Sequence, residues 1–242
     1  MEIPEPKERL AKRIAGAGLC SRREAEVWIA DGRVKVGGKK ITTPAFTVTP
    51  SDSVTVDGKL LQGKEAPRLW LYHKTTGLMT THKDPQGRPT VFEKLPPSLG
   101  RVISIGRLDF NSEGLLLLTN DGGLARKLEL PSNGWIRRYR VRVFGSITLQ
   151  MIAAMKKGVE ADGVQYGSVE VTIDSQKKDN SWLTVSLKEG KNREIRNIFE
   201  YFGCKVSRLL RLSYGPFLLG GLPPGEVKEV TNKVLRSFIK FE

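Results

Sequence analysis

Asp109 is the residue of this chain best placed to do chemistry. It lies in Gly106-Arg107-Leu108-Asp109, directly after the apolar run Val102-Ile103-Ser104-Ile105. Beyond it come Gly114 and four successive leucines, Leu115 to Leu118. The pattern predicts strand, polar turn, buried strand. A carboxylate on such a turn can project into a cleft while two buried strands fix its position, and rigid elements hold a reactive group more closely than loops do. An Asp at a turn also serves as an ordinary cap or turn residue, so position by itself leaves both readings open. The remaining residue types narrow the chemistry. The two histidines, His73 and His82, stand in no metal-ligand pattern, and the two cysteines, Cys20 and Cys204, lie far apart without CxxC spacing. A zinc site, a Ser-His or Cys-His nucleophile and a disulfide framework are therefore disfavoured. Both cysteines read as small buried apolar residues. Any reaction must come from carboxylates, Arg, Lys or Tyr.

Two further stretches carry such groups. Lys188-Glu189-Gly190-Lys191-Asn192-Arg193-Glu194-Ile195-Arg196 supplies cations that could hold a nearby carboxylate ionised. Arg193 and Arg196 are equally what the polar face of an amphipathic helix carries. Arg137-Arg138-Tyr139-Arg140-Val141 is a basic strand with one aromatic residue, suited to stacking on a base or to half-burial in a sheet.

Lys plus Arg is 40 against 26 Asp plus Glu, a formal charge of +14. That balance favours a polyanionic partner, nucleic acid first and an anionic membrane second. Hydrophobic residues make up 39% of the 242, enough for a core, and no apolar run approaches the roughly 20 residues that span a bilayer. Met1-Glu2-Ile3-Pro4-Glu5-Pro6 is acidic and Pro-rich and does not read as a secretory signal, so a cytoplasmic protein without a membrane partner is expected.

Two regions must position these groups. Residues 7–61 read as a small module. Leu10, Ile14 and Ala17 share a helical face that Gly16 and Gly18 interrupt. Ser21-Arg22-Arg23-Glu24 has capping-box spacing, Ala25 and Ile29 follow at helical spacing, and Gly32 stops that helix. Arg33-Val34-Lys35-Val36, Gly37-Gly38 and Lys39-Lys40-Ile41-Thr42 predict a hairpin. Basic residues outnumber acidic ones between Lys7 and Lys40. Arg22 and Arg23 fall in a first helical turn, where the dipole opposes cations but backbone N–H groups favour phosphate. Gly63-Lys64-Glu65-Ala66-Pro67 reads as a linker. Strands are expected at 69–72, 102–105, 115–119, 139–144, 169–173 and 182–187, and helices at 148–157 and 192–202. Val234, Leu235 and Phe238 suit a short docking helix. Many strands with few helices, out of βαβ alternation, predict an α+β domain on a mostly antiparallel sheet. Tyr139 to Val143 alternates Arg with apolar residues, so one face of that strand should be buried and the other open to solvent or RNA.

The motifs carry a resemblance. Gly106-Arg107-Leu108-Asp109, Ser112-Glu113-Gly114-Leu115-Leu116-Leu117 and Thr119-Asn120-Asp121-Gly122 resemble the catalytic motif of RNA pseudouridine synthases, in the branch that holds the enzymes acting on small- and large-subunit rRNA. Leu10-Ala11-Lys12, Gly18 to Glu26 and Gly32 to Val36 are similar to the S4 RNA-binding domain. His73-Lys74-Thr75-Thr76-Gly77 and Arg208 to Pro216 resemble the first and last family motifs, which are largely structural. His73 and Thr75 replace the Asn and Pro often found there.

The resemblance implies an S4-like domain over 7–66, built of helices and a short hairpin, and a catalytic domain over 67–242. It implies isomerisation of one uridine in ribosomal RNA without cofactor or metal. Asp109 would act on C1′ of the ribose, on C6 of the base, or by promoting glycal formation. Arg196 would pair with Asp109, and Tyr139 would stack on the target base. Arg107 would fill the vacated stack or hold a phosphate, because a base must leave its stack before its glycosidic bond can be reached. Lys12, Arg22, Arg23, Arg33, Lys35, Arg138, Arg140, Lys191 and Arg193 would contact RNA. Within the branch, Gly106 to Gly122 and the Tyr139 strand are most similar to the B-type synthases of large-subunit rRNA, which points to 23S rRNA near the peptidyl-transferase region. The alternatives are a 16S rRNA or tRNA uridine, or a non-catalytic RNA-binding ribosome-assembly factor. The partner is ribosomal RNA or an assembling ribosomal particle, with the monomer as the default state.

Overall fold

The computed structural model describes residues 5–238, with the side chain of Phe238 outside the described set. The acidic, Pro-rich start at Met1 to Pro4 also lies outside it. The chain divides into two compact units. The first takes in the chain up to Pro67 together with Pro97–Ile103 and Asn120–Gly122; the second takes in Arg68–Pro96, Ser104–Thr119 and the chain from Gly123 on.

The first unit runs β1 (Glu8–Arg9), α1 (Leu10–Gly16), α2 (Arg22–Ala30), β2 (Val34–Val36), β3 (Lys39–Ile41), β4 (Thr47–Val48), β5 (Val54–Val56) and β6 (Lys59–Leu60). Its local signals act as the sequence predicts. The Ser21 side chain accepts from Glu24 N at 3.1 Å and the Glu24 carboxylate accepts from Ser21 N at 2.7 Å, completing the capping box of α2. Gly37 and Gly38 turn the β2–β3 hairpin with φ of 55° and 80°, values that side chains resist. An antiparallel sheet in the order β3-β2-β5-β6 packs Val34 and Val54 into one core with Leu10, Ile14, Ala25 and Ile29. Cys20 is buried there as a free thiol, and burial pushes its pKa up to about 11, so it is inert. Ala17 falls just past the end of α1, at its C-cap.

The second unit contains β7 (Leu69–Lys74), β8 (Ile103–Ile105), β9 (Glu113–Thr119), α3 (Gly122–Glu129), β10 (Arg137–Phe144), α4 (Leu149–Lys157), β11 (Val159–Ala161), β12 (Val164–Tyr166), β13 (Val169–Lys177), β14 (Asn180–Leu187), α5 (Glu194–Tyr201), β15 (Lys205–Tyr214), β16 (Phe217–Leu218), β17 (Val227–Glu229) and α6 (Asn232–Phe238). A nine-stranded sheet runs β13-β14-β10-β15-β9-β7-β17, with β16 on β15 and β8 on β9. Its long pairings are antiparallel except β15 with β9, which is parallel. The α+β, mostly antiparallel reading therefore holds. Leu115 to Leu118 are fully buried on both faces of β9. Each such leucine contributes about 1.5–3 kcal/mol over exposure, which makes β9 the fixed centre of the unit. In α6, Leu235 is buried as a docking residue would be.

Two elements of this unit carry no clear sequence signal. The ten-residue β15 reads Lys-Val-Ser-Arg-Leu-Leu-Arg-Leu-Ser-Tyr, whose apolar residues fit neither a strand nor a helix period cleanly. The helix α3 opens on two glycines, which are poor helix formers.

Candidate active site

The turn that carries Asp109 is held from below by a buried lysine. Lys74, at the end of β7, has no exposed surface. Its Nζ donates to the carbonyls of Thr75 (3.0 Å), Asp109 (3.0 Å) and Ser112 (2.8 Å), and approaches that of Phe110 at 3.4 Å. Gly77 N donates to Phe110 O, and the Thr80 hydroxyl donates to Leu108 O at 2.7 Å. Residues 74–80 thus fix the backbone of residues 108–112 through direct hydrogen bonds, the structural role expected of the first motif. Burial lowers the Lys74 pKa to about 8, against the opposing pull of the Asp109 and Glu113 carboxylates. On the other side, the Glu129 carboxylate accepts from Gly106 N at 2.6 Å.

Asp109 opens into a cavity of about 670 Å³ lined by residues of the second unit alone. Arg107, Tyr139, Lys191 and Arg193 line it as well. Three widely separated parts of the sequence thus meet at one cavity. Tyr139 is nearly buried on β10 and faces the cavity from between Val185 and Arg211. Arg193 caps α5 in a left-handed conformation, φ 49°, a backbone state that costs free energy in a non-glycine residue. Lys191 pairs with Glu189 and donates to Gln165 O at 2.6 Å.

Arg196 stands behind the cavity wall. Its guanidinium donates to Asn111 O at 2.9 Å and Val206 O at 3.0 Å. Among the described residues it forms no ion pair with Asp109; its charge acts on that carboxylate through space. Burial and the neighbouring Arg193 lower its pKa, and Asp109 opposes the shift.

Arg138 and Arg140 lie elsewhere. Strand alternation turns Tyr139, Val141 and Val143 to one face of β10 and Arg138, Arg140 and Arg142 to the other, which is exposed. In the first unit, Lys12 is paired with Glu8 at 3.1 Å, and Arg33 with Asp57 while lying 4.5 Å from the Trp28 ring. Arg22, Arg23 and Lys35 are exposed.

The cavity also holds two arginines that the motifs did not single out. Arg137 donates to the carbonyls of Lys188 and Glu189 and to Tyr214 Oη at 3.1 Å, tying the 188–190 turn to the sheet. Arg211 is 2% exposed on β15; its Nε donates to Leu115 O at 2.7 Å, while Nη2 has no hydrogen-bond partner among the described residues. The Ser112 hydroxyl is similarly unpartnered. Glu194 Oε1 is a third such atom, and because buried polar atoms are usually satisfied, three in residues that line one cavity mark it as a place for a polar ligand. No strand period in the sequence marks the stretch around Arg211, so no signal singled it out.

The site is cationic, with five Arg and Lys side chains against Asp109, Glu129 and Glu194, and it carries two aromatic rings, Tyr139 and Tyr214. It can hold an anionic polymer, receive a planar base and present a carboxylate to it. Comparison with known proteins gives the family. Residues 68–201 match the RNA pseudouridylate synthase family and residues 8–54 match the S4 domain. The chain is 54% identical over 228 residues to an uncharacterized RNA pseudouridine synthase of Rickettsia felis, covering 94% of this chain and 99% of that protein. It is 43% identical over 230 residues to ribosomal large subunit pseudouridine synthase B of Haemophilus influenzae, covering 92% of this chain and 64% of that protein. A solved pseudouridylate synthase, 24% identical, superposes with a TM-score of 0.68 over 96% of this chain and 99% of its own, a likeness of fold. A carboxylate-bearing turn in a cationic cavity, on a chain of which more than half matches one family, makes this protein a member of the RNA pseudouridine synthases, isomerases that act on RNA.

Proposed function

We propose that the chain isomerises one uridine of large-subunit ribosomal RNA, near the peptidyl-transferase region, with Asp109 as the acting carboxylate. The observation that carries this reading is the convergence of Asp109, Tyr139 and five cationic side chains on one cavity. The choice of large-subunit rRNA rests on relatives such as the Haemophilus influenzae synthase B.

The target uridine leaves its stack and enters the cavity, where the Tyr139 ring takes up its face. Arg107, exposed at the rim, holds a flanking phosphate or fills the vacated stack. Asp109 acts as a carboxylate on C1′, on C6, or by promoting a glycal. The N1–C1′ bond breaks and a C5–C1′ bond forms. C5 loses a proton and N1 gains one, so the composition is unchanged and no oxidant or reductant is consumed. Arg196 fixes the Asp109 turn by donating to Asn111 O. Residues 7–66, with Lys12, Arg22, Arg23, Arg33 and Lys35, provide RNA affinity for the catalytic domain over 67–242. The protein works as a monomer in the cytoplasm.

Pseudouridine mapping of total rRNA from cells lacking the protein tests the target. One 23S uridine should lose its modification and regain it on complementation. Loss at a 16S or tRNA uridine instead would move the target and keep the chemistry; an unchanged map of all three would overturn the reading.

A further inference from the structure

The sheet face opposite the cavity is built as a second surface for RNA. Four neighbouring strands, β13, β14, β10 and β15, present it, and its side chains follow from the register. Phe144 lies between Asn180 and Lys205, and Arg142 lies between Trp182 and Arg208. Arg140 and Arg138 continue the row along β10.

Folding does not explain this composition. Phe144 is 54% exposed, a large apolar ring in water. Arg142 sits directly across the ladder from Arg208, a like-charge pairing that destabilises a sheet. Arg208 is compensated by Glu113, but among the described residues Arg138, Arg140 and Arg142 form no ion pair. Arg140 Cζ lies over the Trp182 ring, 5.0 Å from its centroid, a cation–π contact. The carboxylates on this face are partly spent: Asp174 accepts from Thr184, Glu113 is paired with Arg208, and Glu170 remains at the far edge.

Accessible rings on adjacent strands of an open sheet, flanked by arginines, are the means by which sheet surfaces hold unpaired nucleotides. Stacking accepts any base, and cations two residues apart on a strand, at about 6.7 Å, can each take a different phosphate. We propose that Phe144, Trp182, Arg138, Arg140 and Arg142 bind an unpaired segment of the RNA substrate outside the catalytic cavity. The proposal rests on the functional reading for the identity of the polymer. An acidic protein is the less fitting occupant, because stacking platforms gain nothing from a carboxylate.

The test uses the full-length chain and a short fluorescent oligouridylate. Phe144→Ala should weaken binding about fivefold or more. Arg142→Gln should also weaken it, and should reduce the slope of log K against log salt by about 0.7. Because both side chains are exposed, circular dichroism should match wild type and neither melting temperature should fall, with that of Arg142→Gln equal or slightly higher as the like-charge pair is relieved. Ultraviolet crosslinking of the wild type should place adducts on Phe144 or Trp182. Unchanged affinity in both variants, with adducts confined to the cavity, would overturn the proposal, as would capture of a protein partner that oligouridylate does not displace. A wild-type isomerase assay run in parallel reads the functional proposal separately. A chain that makes no pseudouridine yet loses affinity in these variants refutes that reading and leaves the surface standing.

Discussion

At the residue scale, the backbone that carries Asp109 rests on a buried ammonium. Lys74 has its ammonium spread over three close carbonyls, one of them that of Asp109 itself. Its pKa of about 8 means that the ammonium is present below that pH and loses a proton above it. The neutral amine has one donor fewer, so the Asp109 turn loosens as the pH rises. Activity should accordingly fall on the alkaline side of about pH 8. A pH–rate profile that stays flat well beyond that value would show that the turn does not need the charge. Lys74→Met removes the donors altogether and leaves buried carbonyls unpaired, at about 1–3 kcal/mol for each group left unsatisfied. The variant should lose most of its turnover and some stability, read by a single-turnover assay and by urea unfolding. Asp109 and Tyr139 were legible as candidates because their motifs are local. Arg211 and Arg137 were not, because only the finished sheet shows that they face inward. Strand parity also separates Arg138 and Arg140 from Tyr139, although all three share one sequence motif.

At the element scale, local chemistry and long-range pairing leave different traces in sequence. The capping box of α2 and the two-glycine hairpin were legible because each signal lies within four residues. Ser21→Ala should destabilise the first unit by about 1 kcal/mol, measured by thermal or urea unfolding. An unchanged midpoint would mean that the box adds nothing in this context. The strand β15 was illegible because its place depends on β9, a distant segment that it joins in parallel at Leu210–Glu113 and Arg211–Gly114. Gly114 is what permits that approach. Its φ is +102°, and a Cβ there would stand 2.4 Å from Arg211 O and 2.6 Å from Arg211 N, both rigid backbone atoms. Gly114→Ala should therefore cost more than the usual point mutation, about 3 kcal/mol or more. It should also reduce activity, because the Asp109 turn enters β9 just before this residue. A variant with wild-type stability would show that β9 and β15 separate easily.

At the scale of the whole molecule, the chain joins an S4 domain to a pseudouridine synthase domain and carries a net charge of +14. The charge was legible from composition, and it predicts steeply salt-dependent RNA binding whatever the chemistry. A polar, aperiodic stretch at residues 63–67 was legible as a candidate boundary. The inclusion of Pro97–Ile103 and Asn120–Gly122 in the first unit was not, since it joins segments distant in sequence. Deleting residues 1–63 should leave a cooperatively folded sheet domain with weaker and less selective RNA binding. Aggregation or loss of structure in that truncation would show that the second unit does not stand alone. On the proposed reading, affinity and selectivity belong to the whole chain, and the reaction itself to Asp109. The most direct test of that assignment is to measure pseudouridine formation and RNA affinity side by side for wild type and Asp109→Asn on the same 23S rRNA transcript. The account predicts no detectable pseudouridine from the variant, with RNA affinity within a few-fold of wild type. Pseudouridine formed by Asp109→Asn at the wild-type rate would remove Asp109 from the mechanism.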